Sequence, residues 1–199
     1  IFLLAGVLLL AFSIDCSDFF SCHHKISIFC KGSPANARLQ YALRRRLTNK
    51  LDIIFVGGET LLAINVIIPL VEWVRGKEWR SQYRFFGSTN GSLLTPKIKK
   101  WLTQNKDILT LGLSYDGIPA TQLNNRGNNN IDLDYFIRTW PYQPIQMTIN
   151  AKSVSKMAEG IIYLLDKGAA VHPNVAFEDK EWDDEDIIEY GGQLNKLIP

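Results

Sequence analysis

From Pro34 onward the chain alternates, without a break, between short apolar runs and segments that carry the period of a helix. ANARLQYALRRRL has the helical spacing of Leu39, Leu43 and Leu47, and Arg44, Arg45 and Arg46 read as a solvated helix end, where cations are favoured. LDIIFV, stopped by Gly57 and Gly58, reads as a strand buried on both faces. TLLAINVIIPLVEWV reads as a helix despite Pro69, and YRFFGS as a strand. TPKIKKWLTQN opens like a helix, with Thr95 as N-cap and Pro96 in the first helical position. DILTLGLS is a strand, DLDYFIRTW a short helix and IQMTIN a strand. SVSKMAEGIIYLLDKG is a helix with Ser153 as its cap and Gly168 past its end. AAVHPNVAF is a further strand, and WDDEDIIEYGGQLNKLI a final helix with acids in its first turn.

About six strand–helix units in this order imply a parallel sheet with right-handed crossovers, open and doubly wound or closing as a barrel. Six are too few for an eight-unit barrel and suit a partial one. In either architecture reactive groups lie just after the strands. Those positions hold the first cysteine loop, Gly57-Gly58-Glu59, Ser88-Thr89-Asn90-Gly91, Ser114-Tyr115-Asp116-Gly117, Asn150 and the segment near Phe177 and Glu178.

Each of these has two readings. Gly57 and Gly58 allow close approach of a ligand to the backbone, and Glu59 offers an anion to an ammonium or hydroxyl; equally, Gly-Gly after a strand is a tight turn. Thr89 and Asn90 supply small polar groups or belong to a plain turn before a capped helix. Ser114 and Asp116 meet a ligand or close a turn.

The totals narrow the classes. A length of 199 residues suits one domain with a sizeable core, and 46% hydrophobic with 21% charged residues is a globular balance. A net charge of +2 gives no case for nucleic acid as a partner. Three cysteines, an odd number, argue against a secreted disulfide framework and for a reducing compartment, the cytoplasm. IFLLAGVLLLAF is too short for a membrane span of roughly 20 residues and has no preceding basic segment, so no membrane partner is expected. Its start at Ile1 reads as that of a fragment or trimmed chain, or the run leads into a buried strand ending near Ile14.

In order and spacing, FVGGETLL, GSTNGSLLTPKIKKWL, LGLSYDGIPATQLNNRG and IQMTINAKSVSKMAEGIIYLLDKG resemble the radical SAM superfamily, in particular its peptide-modifying, sulfatase-maturing (SPASM-type) branch. The resemblance covers roughly residues 51–199, and NVAFEDKEWDDEDIIEYGGQL is similar to that branch's sixth strand and helix. It implies a partial (β/α)6 barrel of parallel strands with outer helices, a 4Fe–4S cluster, and S-adenosylmethionine at the cluster's open iron. It implies one core domain over residues 1–199, atypical or truncated at its N-terminal part and without the branch's auxiliary cysteine-rich domain, since no cysteine follows Cys30. By the resemblance, Gly57, Gly58 and Glu59 hold the cofactor's amino group, and Thr89 and Asn90 line the pocket. Ser114 and Asp116 lie near its ribose or methionine portion, and Arg126 reaches toward its carboxylate. From its surroundings alone, Arg126 is as well a surface residue of an Asn-rich turn. The implied partners are a peptide or protein substrate and an electron donor such as flavodoxin or ferredoxin.

The family's chemistry needs three thiolates on three irons, with the fourth iron open. Its usual Cys-x3-Cys-x2-Cys is not met here, where Cys16, Cys22 and Cys30 form Cys-x5-Cys-x7-Cys. In the family's frames the missing partners fall on Phe20 and His23, on Ile26 and Phe29, or on Ser27 and His23. Four readings stay open. A longer loop gathers all three thiolates, since loops tolerate insertion at low entropic cost. Otherwise the cluster is lost and the barrel binds S-adenosylmethionine or a peptide without radical chemistry, the N-terminal segment is mis-joined to an intact core, or these are three buried thiols. His23 or His24 replaces a thiolate or is solvated loop; His172 either faces the barrel mouth or, the preferred reading, is a buried, hydrogen-bonded histidine. Glu178 and Asp179 are general-base candidates or plain turn acids. The expected activity is reductive cleavage of S-adenosylmethionine to a 5′-deoxyadenosyl radical that modifies a peptide or protein side chain. A barrel acting on phosphorylated metabolites would want a Gly-rich loop near the last strands, and AAVHPNVAFED offers none.

Overall fold

Hydrogen bonding in the computed structural model follows the alternation read above, with one departure at the first strands. Residues 9–14, 26–29, 39–40, 43–44, 50–176 and 182–198 are described. They fall in two compact units, one of residues 1–89 and 93–111, the other of 90–92 and 112–199.

In the first unit the sheet order is β2-β1-β3-β4-β5, with β1 Leu9–Ile14, β2 Ile26–Phe29, β3 Lys50–Val56, β4 Gln82–Thr89 and β5 Leu109–Leu113. β3 and β4 are parallel, in register from Lys50↔Gln82 to Phe55↔Gly87. The crossover between them is a 3-10 turn, Thr60–Ala63, running into helix α1, Ile64–Arg75. β1 is instead antiparallel to both β2 and β3, which corrects the expectation of parallel strands throughout. Antiparallel neighbours need no helical crossover between them, whereas parallel ones do.

A second correction concerns β3. Leu51, Ile53 and Phe55 are buried while Asp52 and Ile54 are half-exposed, so the apolar run buries one face. The other face is polar enough for Asp52 to take a two-pronged bond from its cross-strand partner Arg84, at 3.1 and 3.2 Å. The buried face stacks Phe55 on Phe85, ring centroids 5.6 Å apart. In α1 the buried side chains are Ile67, Leu70, Val71 and Val74, an i, i+3, i+4, i+7 stripe. Pro69 lies in this helix on its exposed side. Helix α2, Pro96–Gln104, starts as read, with Thr95 accepting from the Ile98 amide. Leu39, Gln40, Leu43 and Arg44 are helical, with both leucines fully buried and Arg44 exposed.

In the second unit, β6 (Ile145–Ile149) and β7 (Val171–Val175) are parallel, with Ile145↔Val171 through Ile149↔Val175. Ser114, just past β5, forms a parallel bridge with Gln146. The helices are α3 (Pro119–Arg126), α4 (Leu133–Thr139), α5 (Met157–Asp166, after a 3-10 turn) and α6 (Asp184–Asn195). Their core gathers Met147, Ile149, Met157, Ile161 and Leu164. Helix α3 was not read from the sequence, because PATQLNNR has no apolar period. Its signal is the pairing of Pro119 at the start with Gly127, in the left-handed region at φ 69°, just past the end. Ser153 does not cap α5; it closes a turn with Asn150 instead. α6 carries a capping box between Asp183 and Asp186.

Candidate functional site

At the end of β3, Gly57 and Gly58 are exposed and Glu59 is turned back toward the protein. Glu59 caps the 3-10 turn: its Oε1 accepts from the Leu61 amide at 3.0 Å and from the Thr89 hydroxyl at 2.7 Å. Thr89, at the end of β4, is 2% exposed, so two strand ends predicted to carry function are tied through this carboxylate. Beside them Thr60, also buried, keeps a hydroxyl with no hydrogen-bond partner among the described residues. It packs against Gly87, where an added Cβ would sit 2.9 Å from Thr60 Cγ2 and 3.2 Å from Leu111 Cδ2. Neither Thr60 nor Gly87 was singled out from the sequence; their signal was position, one residue after Glu59 and two before Thr89.

The second cluster centres on Asp116, 2% exposed. Arg126 grips it with both prongs, Nε to Oδ2 at 2.8 Å and an Nη to Oδ1 at 2.9 Å, and Asn125 Nδ2 and the Thr148 amide also donate to it. Arg126 donates further to the Thr148 hydroxyl, and Gln122 Oε1 accepts from the Asp116 amide. A buried carboxylate demands such compensation, and a bidentate guanidinium is the strongest form of it. Arg126 is therefore the last residue of a helix and an ion-pair partner, not part of a loose turn. Gln122 and Thr148 escaped the sequence reading because the contacts span 6 and 32 positions.

The remaining expected residues divide. Asn90 turns onto Ser92, accepting from its amide and hydroxyl, and Ser114 is half-buried at the β-bridge to Gln146. Asn150 is held by its turn with Ser153. Tyr115, between Ser114 and Asp116, is buried; burial first, and Tyr163 second, push its hydroxyl up to about 12, so it stays protonated at neutral pH. His172 is exposed, which corrects the expectation of a buried ring, and hydrogen-bonds through Nδ1 to Gln146 Oε1 at 2.9 Å. Cys16, Cys22, Cys30, His23, His24, Glu178 and Asp179 lie outside the described residues. Among the described residues no group of His, Cys, Asp or Glu is placed to hold a metal, and no helix is long and apolar enough to cross a membrane.

No family model and no curated protein sequence matches the chain. Solved structures do match it. Native anSMEcpe with bound AdoMet, a radical SAM anaerobic sulfatase-maturating enzyme, aligns with a TM-score of 0.61 at 17% identity, over 87% of this chain and 52% of that one. The same enzyme with AdoMet and the Kp18Cys peptide aligns at 0.61 and 17%, over 93% and 56%. With the Cp18Cys peptide the values are 0.56 and 18%, over 75% and 47%. The chain thus spans about half the length of the structures it matches. The likeness is one of fold, an α/β arrangement with parallel strands.

Proposed function

We propose that this chain, residues 1–199, is the single core domain of a radical SAM enzyme with a partial (β/α)6 barrel fold, acting on a peptide or protein side chain. The observation that carries the reading is Glu59. It follows an exposed Gly57-Gly58 turn at a strand end, and its carboxylate is fixed by Leu61 N and Thr89 Oγ1 in a fold shared with AdoMet-bound structures. Gly57, Gly58 and Glu59 would hold the cofactor's ammonium. Thr89 positions Glu59; Asn90, Ser114 and Asp116 serve the cofactor's polar parts, and Arg126, anchored on Asp116, its carboxylate. Cys16, Cys22 and Cys30 are the proposed ligands of a 4Fe–4S cluster, which when bound supplies the electron that cleaves AdoMet to the 5′-deoxyadenosyl radical. A flavodoxin- or ferredoxin-like donor in the cytoplasm would provide that electron.

Two measurements test this. Iron and acid-labile sulfide after anaerobic reconstitution should reach about four irons per chain and vanish when Cys16, Cys22 and Cys30 are all changed to Ala. Negligible iron in both chains overturns the enzyme reading and leaves a barrel that binds AdoMet or a peptide. The second is AdoMet binding by Glu59→Gln, which keeps the Oε1 acceptor for Leu61 and Thr89 and removes only charge. Affinity should fall roughly tenfold with folding stability unchanged, the difference between a charge-assisted and a neutral hydrogen bond.

A further inference from the structure

On one face of β6 and β7 the side chains of Gln146, His172 and Asn174 form a hydrogen-bonded triad whose polarity is fixed from one end. Asn174 Nδ2 donates to the backbone carbonyl of His172 at 3.2 Å, and a carbonyl only accepts, so the orientation of the Asn174 amide is set. The same nitrogen lies 3.1 Å from Gln146, whose facing atom must then be its oxygen, Oε1. His172 Nδ1 also meets that oxygen, at 2.9 Å, and must donate to it. The imidazole is held as the Nδ1–H tautomer, leaving Nε2 as an acceptor.

This determines what the triad offers a ligand. The two Gln146 Nε2 hydrogens are donors; Asn174 Oδ1 and His172 Nε2 are acceptors, and none of these has a partner among the described residues. Gln146, His172 and Asn174 are all partly or largely exposed. A carboxylate or phosphate would satisfy the donors alone, an ammonium the acceptors alone. A group presenting an acceptor and a donor side by side satisfies both, and one residue of an extended peptide does so, because its own N–H and C=O lie on the same edge of the chain. A purine edge also could, but the flanking residues described on this face, Ser114 in register with Gln146 and Thr148 two positions on, are small and polar rather than a surface on which a ring stacks.

We infer that Gln146, His172 and Asn174 form a recognition site for the main-chain N–H and C=O of one residue of an extended peptide ligand. This rests on the proposed peptide substrate, and names the residues that would hold its backbone. β7 is the outer strand of its two-stranded sheet, but Pro173 lacks the N–H that a strand added along the edge would need there, so recognition falls to side chains.

The test uses the full chain without cluster or AdoMet, so it is independent of whether the enzyme reading stands. A capped hexapeptide of alanine and serine, and a set of its ester analogues in which one N–H at a time is replaced by oxygen, are titrated while the side-chain amide resonances of Gln146 and Asn174 and the His172 ring nitrogens are followed by NMR. Expected are shifts of the Gln146 amide with the peptide, a His172 signature of Nδ1–H, and about 2- to 10-fold weaker binding for one ester position, the worth of one hydrogen bond. His172→Ala should remove that discrimination. Equal affinity for the peptide and every ester, an Nε2–H tautomer, or the same resonances moving with adenosine but not with peptide would each overturn the site. Loss of AdoMet or iron binding with these shifts intact would overturn the enzyme reading alone.

Discussion

At the scale of single residues, two positions show how little room the strand ends leave. Gly87 has an ordinary strand conformation, yet an added Cβ would meet Thr60 Cγ2 at 2.9 Å and Leu111 Cδ2 at 3.2 Å. Gly87→Ala should cost about 1–3 kcal/mol in chemical denaturation, as overpacking does, and should disturb AdoMet binding through Thr60. Arg126 is the second. Its removal leaves the Asp116 carboxylate, 2% exposed, with only the Thr148 amide and Asn125 among the described residues. Arg126→Ala should therefore cost about 3 kcal/mol, the low end for a broken buried pair because the Arg126 side chain is 27% exposed. Adding Asp116→Asn should recover part of the loss; no recovery would mean that packing, not the unpaired charge, dominates.

At the scale of elements, the contact between α5 and the turn after β5 reverses a helix-propensity argument. Gly160 lies inside α5, where alanine is ordinarily better by about 1 kcal/mol. A Cβ there would stand 2.9 Å from Gly117 Cα and 2.9 Å from Met147 Cε. The methionine end can swing aside, but Gly117 is backbone, held at φ 86° in the left-handed region. Gly160→Ala should destabilise by about 1–2 kcal/mol net; a stabilised variant in thermal unfolding would show that the two elements separate more easily than this packing implies. Because Gly117 follows Asp116, the same close approach fixes where the Asp116–Arg126 pair stands.

At the scale of the whole molecule, alkaline pH should weaken folding through Tyr115. Its hydroxyl ionises near 10.0 when unfolded and near 12 when buried, so the unfolded chain loses its proton first. Stability is then unaffected below about pH 10 and falls as pH rises toward 12, by about 2 kcal/mol, which denaturation at pH 8, 10 and 11.5 would register and Tyr115→Phe would abolish. How the chain is organised was largely legible beforehand: from β3 onward each apolar run became a strand, Thr95 and Pro96 opened α2, and the acids of the last helix became its capping box. These features are local, set by period and by caps within a few residues. Helix α3 was missed because its start and stop signals flank a polar stretch, and β1 was expected parallel because strand direction depends on the connection, not the strand. Gly57, Gly58 and Glu59 were legible as a strand-end cluster, whereas Thr60, Gln122, Gln146, Thr148 and Asn174 carry no local mark. Sequence alone determined the alternation, the strand-end positions and the family resemblance, since each is written in neighbouring residues. Only the tertiary structure decided that Thr89 holds Glu59, that Arg126 serves Asp116 and that Asn174 orients His172 through Gln146. Hydrogen bonds are made by atoms within about 3 Å of one another, and distances of that size between distant positions exist only after the strands have paired.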